Sequence, residues 1–371
     1  MKVVTVVGTR PEIIKLSRVI SCLSGAVDHI LIHTGQNDDF ELNEIFFKEL
    51  GIKVPDYFLK ARGENAAETI ANVIMRSYAL FEDLNPDAVL VLGDTNSALS
   101  VLSAKRRKIP IFHMEAGNRC FDQRVPEEIN RKIVDHLSDV NLTYTEHARR
   151  NLLAEGFPTD RLFKTGSPQK EVLDYYWPLI EASKIHTLLG VSAGEYFVAS
   201  IHREENVDVG AHLNVIVRTL NSLVERFSLP VLFSVHPRTK LRLEALTEKL
   251  CDGVVILKPL GFLDYVRLQK DSFCVLSDSG TITEESSLLK CPAINLREAH
   301  ERPEGMDEGV LIMTGIDHDR IINGIAVARA QFESGLFASV PDDYLVENVS
   351  WKVTKIILSY TDYVNRNVWH R

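Results

Sequence analysis

The stretch VVTVVGTRPEIIK, residues 3–15, contains the signals of a strand, a tight turn and a helix start. Val3 to Val7 is a run rich in β-branched residues, which is typical of a strand buried on both faces of a parallel sheet. Gly8 ends this run, and Pro11 suits the first turn of a helix because its missing N–H would have no partner there. The stretch therefore predicts a βα unit.

The turn of this unit also suggests a ligand. Free N–H groups and the helix dipole make a helix start attractive to anions. Arg10 and Lys15 are cations at this helix start, where the dipole disfavours them, so they indicate an anionic ligand. A plain turn remains the alternative. Neither the dinucleotide-binding nor the P-loop glycine pattern is present, so the sequence supports neither of those sites.

The same alternation of strand and helix patterns continues along the chain and predicts an α/β fold. Further strands are predicted at 30–33, 56–59, 88–92, 109–114, 140–144, 162–165, 196–201, 231–235, 254–257, 273–276 and 293–296. Further helices are predicted at 39–50, 64–84, 97–107, 147–155, 211–227, 241–250, 263–269, 319–332 and 344–360, with another opening at Pro126.

Gly166-Ser167-Pro168 marks the predicted change of domain. We predict two Rossmann-like doubly wound domains that face each other across a cleft, at residues 1–167 and 168–350. Residues 351–371 would form a last helix that packs back on the N-terminal domain.

Composition excludes several classes of function. A formal net charge of -9 disfavours a nucleic-acid partner. The first apolar run is too short for a signal peptide, and no apolar run reaches the length of a membrane span, so we expect a cytoplasmic protein without a membrane partner. Five scattered cysteines without CxxC spacing fit a reducing compartment and no zinc site.

The segment His113–Arg131, HMEAGNRCFDQRVPEEINR, is dense in acids and arginines beside a predicted buried strand. Asp94 and Glu115 each follow the carboxyl end of a predicted strand, where open α/β sheets bind ligands. Asp94 could instead cap the next helix. Glu127 and Glu128 fall in the first turn of a helix, where acids suit the dipole, so one of them could be structural.

The second half of the chain has similar polar turns at strand ends. His202 begins the run HREEN after one strand, and His236 precedes a proline after the next, where a structural histidine is an equal alternative. The turn at 277–281, SDSGT, combines small hydroxyl residues with a glycine, which permits close backbone approach to a phosphate.

These motifs together resemble the non-hydrolysing UDP-N-acetylglucosamine 2-epimerase family. The motifs that carry the resemblance are VVGTRPEIIK, LGDTNS, HMEAGNR, PEEINR, IHREEN, SDSGTITEE and ERPEG, which span nearly the whole chain in family order. The resemblance implies a fold like that of GT-B glycosyltransferases, with the nucleotide in the cleft. It also implies a UDP-sugar substrate, no cofactor or metal, and a homodimer.

The resemblance implies roles for individual residues. Asp94, Glu115 and Glu127 correspond to the family's acid–base set, and His202 to its site histidine, which steadies the diphosphate. The UDP-sugar contacts that it implies, with His236 added as a weaker candidate, are Arg10, Lys15, His236, Ser279, Gly280, Glu285 and Arg302. The implied reaction eliminates UDP from C1 as a base removes the C2 proton, and re-adds UDP to the glycal after protonation on the other face.

Two departures from the usual family pattern indicate a particular substrate. The stretch GNRCFDQRVPEE, residues 117–128, replaces a longer loop of the usual family pattern. GTITEES, residues 280–286, replaces the usual Gly-Gly-Leu-Gln stretch after Asp-Ser. Both departures resemble the branch that makes UDP-N-acetyl-L-fucosamine from UDP-2-acetamido-2,6-dideoxy-β-L-talose for capsule or O-antigen synthesis. The alternatives are a UDP-N-acetylglucosamine/UDP-N-acetylmannosamine 2-epimerase, a hydrolysing relative, and a GT-B glycosyltransferase or inactive nucleotide-binding module.

Overall fold

The computed structural model describes residues 1–36, 46–207, 209–235, 237–246 and 248–371. His236 and most of the predicted helix 39–50 lie outside the described residues. The chain forms two compact units. Unit 1 comprises Met1–Tyr175 and Asp342–Arg371, and unit 2 comprises Tyr176–Pro341. The boundaries predicted from the sequence are 167/168 and 350/351.

Unit 1 is a parallel sheet covered by helices. Its strands are β1 Lys2–Val7, β2 Asp28–His33, β3 Tyr57–Phe58, β4 Ala88–Leu92, β5 Ile111–Met114, β6 Val140–Thr143 and β7 Leu162–Lys164. Its helices are α1 Arg10–Ala26, α2 Ala66–Leu84, α3 Val101–Arg106, α4 Pro126–Leu137, α5 Glu146–Ala154, α6 Gln169–Glu181, which runs past the unit boundary, and α15 Val349–Asn367. Short 3₁₀ turns occupy Asn96–Ser100, Thr159–Arg161 and Asp342–Tyr344.

The strand order in unit 1 is β3-β2-β1-β4-β5-β6-β7. The order reverses between β1 and β4, which pair in parallel, so this is the switch point where doubly wound sheets bind ligands. The two strands are apolar runs, and every residue of β4 is buried. The turns that begin at Gly8 and Gly93 therefore leave neighbouring strands at the same edge of the sheet.

Unit 2 repeats this architecture. Its strands are β8 Phe197–Ser200, β9 Val231–Ser234, β10 Val254–Leu257, β11 Cys274–Ser277, β12 Ala293–Asn295 and β13 Ile312–Met313, in the order β10-β9-β8-β11-β12-β13. Its helices are α7 Ile185–Leu189, α8 Glu204–Val207, α9 Gly210–Phe227, α10 Pro237–Ala245, α11 Phe262–Lys270, α12 Ile282–Leu289, α13 Pro303–Asp307 and α14 His318–Glu333. The switch point lies between β8 and β11, which pair in parallel.

The predicted α/β class with two Rossmann-like sheets is confirmed. Two predicted helices are displaced in the structure. The helix predicted at 241–250 is α10, Pro237–Ala245, because a proline suits the first helical turn. The helix predicted at 344–360 is α15, which begins at Val349 after a separate 3₁₀ turn. Helix α6 was not predicted, because it begins directly after Gly166-Ser167-Pro168, a pattern that indicated a domain boundary.

Helix α15 belongs to unit 1 and packs against α1. Its start is held by Glu171 of α6, whose carboxylate accepts hydrogen bonds from the N–H and hydroxyl groups of Ser350. Among the described residues, no helix combines the length and apolar character that a membrane span requires.

Candidate functional site

Asp94 and Glu115 lie at the ends of adjacent strands in unit 1. Strands β4 and β5 pair in parallel with Leu92 opposite Met114, and the Gly93 N–H donates to the Met114 carbonyl at 2.9 Å. Asp94 comes two residues after the end of β4, and Glu115 directly follows β5. The structure thus places both predicted acids at one edge of the sheet.

The Asp94 carboxylate forms an ion pair with Arg131 of α4. The Oδ2 atom of Asp94 lies 2.6 Å from Nη2 and 2.9 Å from Nε of Arg131, whose side chain is almost fully buried. Asn130 donates to the Asp94 carbonyl at 3.0 Å. Helix α4 therefore fixes both the backbone and the side chain of Asp94.

Glu115 pairs with Lys15 of α1, and the two side chains are 12% and 5% exposed. Their Oε2 and Nζ atoms are 2.7 Å apart. The backbone of Glu115 has φ of 66°, in the left-handed region that favours glycine. Such strain costs on the order of 1–3 kcal/mol and clusters at functional sites. Glu115 therefore leaves the extended conformation of β5, and in this left-handed conformation its carboxylate meets Lys15 of α1.

Glu127 and Glu128, in the first turn of α4, differ in burial and contacts. Glu128 is buried, accepts from the Cys120 N–H at 3.0 Å and lies 3.2 Å from Nη1 of Arg131. Glu128 thus makes contacts within the protein, and Glu127, the acid–base candidate, is half-buried. Burial raises the pKa of the Cys120 thiol, which makes it a poor nucleophile.

A buried polar network lies behind Glu115 and was not predicted from the sequence. Nε2 of His113 lies 2.9 Å from the Gly93 carbonyl, and its Nδ1 lies 2.9 Å from Asp135 of α4. Arg119 bonds to Asp135 at 2.7 Å and to both carboxylate oxygens of Glu155 at 2.7 Å. Burial opposes ionisation of Asp135, but the hydrogen bond and charge of His113 and the charge of Arg119 keep its pKa below the ordinary value.

The turn after β1 is organised by Glu12. Its carboxylate is 2% exposed and accepts hydrogen bonds from the turn and from Thr95. Burial raises the pKa of Glu12 to about 7, although these hydrogen bonds act in the opposite direction. Arg10, predicted as a diphosphate contact, is half-buried, with its guanidinium 5.8 Å from the ring centre of Phe46.

In unit 2, His202 follows β8 at the switch point. Its N–H donates to both carboxylate oxygens of Asp278 at 3.1 Å, and its Nδ1 lies 3.3 Å from one of them. Asp278 is fully buried and also accepts from the Arg203 N–H at 2.9 Å and from Asn206 at 2.9 Å. The His202 side chain is half exposed, so Asp278 anchors the turn and orients a ring that can still meet a ligand.

The other predicted contacts of unit 2 are Ser279 and Glu285, at or just after the turn that follows β11, and Arg302, which contacts the helix after this turn. The hydroxyl of Ser279 lies 3.0 Å from that of Thr281. Glu285 accepts from Gln269 at 2.7 Å, so one oxygen of the predicted ribose acceptor already has a donor. Arg302 is buried, and its Nε donates to Glu284 at 3.0 Å.

Close packing in this turn favours glycine at position 280. A Cβ at this position would lie 2.2 Å from Oε1 of Glu301. Glu301 is buried, and its other oxygen accepts from Arg297 at 2.9 Å, so it is not free to move away. A side chain at position 280 would therefore displace either the turn or this ion pair.

If this turn is the phosphate site that the resemblance implies, Gly280→Ala should weaken UDP binding at least about tenfold, a loss of roughly 1.4 kcal/mol. Calorimetric titration with UDP measures the effect. Gly210→Ala is the matched control, because no atom lies within 4 Å of a Cβ at that position. Equal UDP affinity of the Gly280→Ala variant and the wild type would mean that this turn is not the phosphate site.

Sequence reasoning missed several residues that shape the site. Arg131 and Asp135 share the buried face of α4 with Glu128, and their spacing is a helical signal that could have identified them. The residues of the site that received no role from the sequence are Glu12, Thr95, His113, Arg119, Arg131, Asp135 and Asp278. No group of three histidine, cysteine or acidic side chains suited to a metal ion occurs in the part of the chain that the structure describes.

The fold and these residues define a class: α/β proteins with two Rossmann-like units, acids at one switch point and a hydroxyl–glycine turn at the other. The sequence model of the UDP-N-acetylglucosamine 2-epimerase family matches residues 23–358. The chain belongs to this family. It is an isomerase, and its activity is that of a UDP-sugar 2-epimerase.

Known proteins of this kind are similar over most of their length. The structure of UDP-N-acetylglucosamine 2-epimerase from Rickettsia bellii is 51% identical with a TM-score of 0.93, and all of both chains is covered. The Methanocaldococcus jannaschii enzyme in complex with UDP-GlcNAc and UDP is 32% identical with a TM-score of 0.90, covering 97% of this chain and 100% of that one. The UDP-2,3-diacetamido-2,3-dideoxy-D-glucuronate 2-epimerase of Pseudomonas aeruginosa is 34% identical over 87% of this chain and 90% of its own length.

Proposed function

We propose that this protein converts UDP-2-acetamido-2,6-dideoxy-β-L-talose into UDP-N-acetyl-L-fucosamine for capsule or O-antigen synthesis. The observation that carries the choice of sugar is the substituted loop at 117–128, which begins two residues after Glu115. This loop is the expected contact for a 6-deoxy-L-sugar. Two contacts tie this loop to α4. Arg119 donates to Asp135, and the Cys120 N–H donates to Glu128 in the first turn of that helix.

The proposed reaction is an elimination followed by re-addition. A carboxylate takes the proton from C2, the C1–O bond breaks with its electron pair leaving on UDP, and a C1–C2 double bond forms. A proton is then delivered to the opposite face of C2, and a UDP oxygen attacks C1. Asp94, Glu115 and Glu127 are the proposed acid–base set.

The pairing of the acids supports this assignment. Arg131 forms an ion pair with Asp94 and Lys15 forms one with Glu115, so each carboxylate is held by a buried cation. The turn that carries Asp94 is fixed from behind, at Gly93 by His113 and at Asp94 by Asn130. Fixed geometry is what acid–base catalysis requires of its groups.

Unit 2 is the proposed UDP site. His202 would steady the diphosphate, the Ser279–Gly280 turn would accept a phosphate on its N–H groups, and Glu285 would bind a ribose hydroxyl. Arg302 is a further proposed UDP contact of this unit. In unit 1, Arg10 and Lys15 are the proposed diphosphate contacts, whose positive charge would favour the departure of UDP. We further expect a homodimer, which light scattering of the purified protein would measure.

The second candidate is a UDP-N-acetylglucosamine/UDP-N-acetylmannosamine 2-epimerase, with the same chemistry on another sugar. The 51% identity to the Rickettsia bellii protein, which is named for UDP-N-acetylglucosamine, favours it. The Pseudomonas aeruginosa relative is named for a diacetamido-glucuronate at 34% identity, so names in this family differ in the sugar. Family membership therefore leaves the sugar to experiment.

Proton NMR in D2O distinguishes the two candidates. One tube contains UDP-2-acetamido-2,6-dideoxy-β-L-talose and a parallel tube contains UDP-N-acetylglucosamine. We expect deuterium at C2 of an L-fuco product in the first tube alone, because the proton returned to C2 comes from solvent-exchanged acids.

Three other outcomes of this NMR experiment would each contradict the proposed substrate. Deuterium in the second tube alone would assign the protein to the N-acetylglucosamine/N-acetylmannosamine candidate. Free sugar and UDP accumulating without epimer would indicate that water captures the intermediate, as in a hydrolysing relative. Exchange in neither tube would contradict both proposed substrates.

A further inference from the structure

The Glu12 carboxylate joins two turns of unit 1. Its Oε2 atom accepts from the N–H of Gly8 at 2.8 Å, the N–H of Thr9 at 2.7 Å and the hydroxyl of Thr9 at 2.9 Å. Its Oε1 atom accepts from the hydroxyl of Thr95 at 2.9 Å. One oxygen thus holds the turn after β1, and the other reaches the turn after β4.

These turns meet at the switch point and carry two proposed site residues. Arg10 follows Thr9, and Asp94 precedes Thr95. The turns are packed tightly, since a Cβ on Gly8 would lie 1.9 Å from the hydroxyl oxygen of Ser97. A shift of the β1 turn would therefore be transmitted to the segment that holds Asp94.

We infer that Glu12 is a positioning residue, which sets the place of Asp94 by tying Thr95 to the turn after β1. This inference rests on the proposed acid–base role of Asp94. Glu12 acts through Thr95 and is not proposed to touch the substrate. Asp94 is then fixed on both sides, with Arg131 holding its side chain and Glu12 holding the next residue.

Helix capping alone does not account for this arrangement. A capping glutamate needs one oxygen for the N-cap N–H, but Glu12 uses its second oxygen on another turn. Burial also penalises the ionised form of this side chain, as its raised pKa shows. Glu68 provides the comparison, because it is the third residue of α2, as Glu12 is of α1. Its carboxylate accepts from the N–H of Glu64, the residue before the N-cap Asn65, at 2.8 Å and at an exposed site.

A double-mutant cycle on C2 exchange tests the inference. The variants are Glu12→Met, Thr95→Val and the double variant, with Thr95→Ser to restore the hydroxyl. We expect Glu12→Met and Thr95→Val each to lower kcat by about tenfold or more with KM within about twofold, since small misplacements of catalytic groups are costly. The loss in the double variant should be smaller than the product of the two single losses, because both single variants remove the bond between Thr95 and Glu12.

Two controls separate positioning from a general loss of structure. Glu68→Met removes a capping carboxylate of the same kind and should leave kcat unchanged. Thr95→Ser should restore kcat to within about twofold of wild type, because the hydroxyl donor returns. The Thr95 hydroxyl also accepts from the Ser97 N–H at 3.2 Å, so the Thr95 variants alone do not isolate the bond to Glu12. If Glu12→Met fails to fold, Glu12→Gln takes its place in the cycle, because an amide has only one oxygen and cannot accept at both of its terminal atoms.

Several results would overturn the inference. They are a wild-type kcat in Glu12→Met or Thr95→Val, multiplicative losses in the double variant, or an equal loss in Glu68→Met. Wild-type protein that gives no C2 exchange with either UDP-sugar would contradict the proposed function itself. Exchange by the wild type combined with unaffected variants would contradict only the role of Glu12.

Discussion

Glu115→Gln is expected to lower kcat by about 10²–10⁴-fold, the usual contribution of a general acid or base. Glutamine keeps the shape of the side chain and can still accept a hydrogen bond from Lys15, which lies 2.7 Å from Glu115 in the wild type. It cannot take or give the C2 proton. UDP binding should stay within about tenfold, roughly 1.4 kcal/mol, because the diphosphate contacts remain.

Deuterium incorporation at C2 and calorimetric titration with UDP measure the two effects separately. Glu146→Gln is the control, since Glu146 is partly exposed at the start of α5 and pairs there with Arg149 and Arg150. This control should match the wild type in both assays. Near-normal turnover of Glu115→Gln would remove Glu115 from the acid–base set. Loss of UDP binding in parallel with turnover would instead make it a binding residue.

The strands and most helices follow from local sequence, because their signals are local. The apolar run Ala88–Leu92 is predicted and observed as the same strand, and Pro11 and Pro126 stand in the first turns of α1 and α4. Strand ends indicated Asp94 and Glu115, since carboxyl ends of parallel strands share one edge of a sheet. The location of the candidate site was therefore predictable from hydrophobic pattern and turn chemistry.

The partners of these residues were not predictable, because they are distant in sequence. Thr95 meets Glu12 across 83 positions, and Lys15 meets Glu115 across 100. The left-handed backbone of Glu115 also has no local signal, since such a conformation is expected at glycine. These contacts depend on the order of strands in the sheet, which neighbouring residues do not specify.

Arg119→Met is expected to destabilise unit 1 by about 3–5 kcal/mol, because it removes one partner of a buried ion pair. The Arg119 side chain is fully buried between Asp135 and Glu155. Without it, the fully buried Asp135 keeps the Gly117 N–H at 3.2 Å and the nearby His113 ring as its partners. Methionine fills much of the volume but supplies no donor.

The midpoints of thermal unfolding of Arg119→Met and Arg124→Met, each relative to the wild type, measure this effect. Arg124 also pairs with an aspartate at 2.7 Å, but its side chain is 76% exposed, so its loss should cost less than about 1 kcal/mol. We expect a fall of about ten degrees in the unfolding midpoint for Arg119→Met and about two degrees or less for Arg124→Met. Similar midpoints for both variants would contradict a stabilising role of the network. Because His113 of this network contacts the Gly93 carbonyl just before Asp94, Arg119→Met should also lower kcat at temperatures where the variant remains folded.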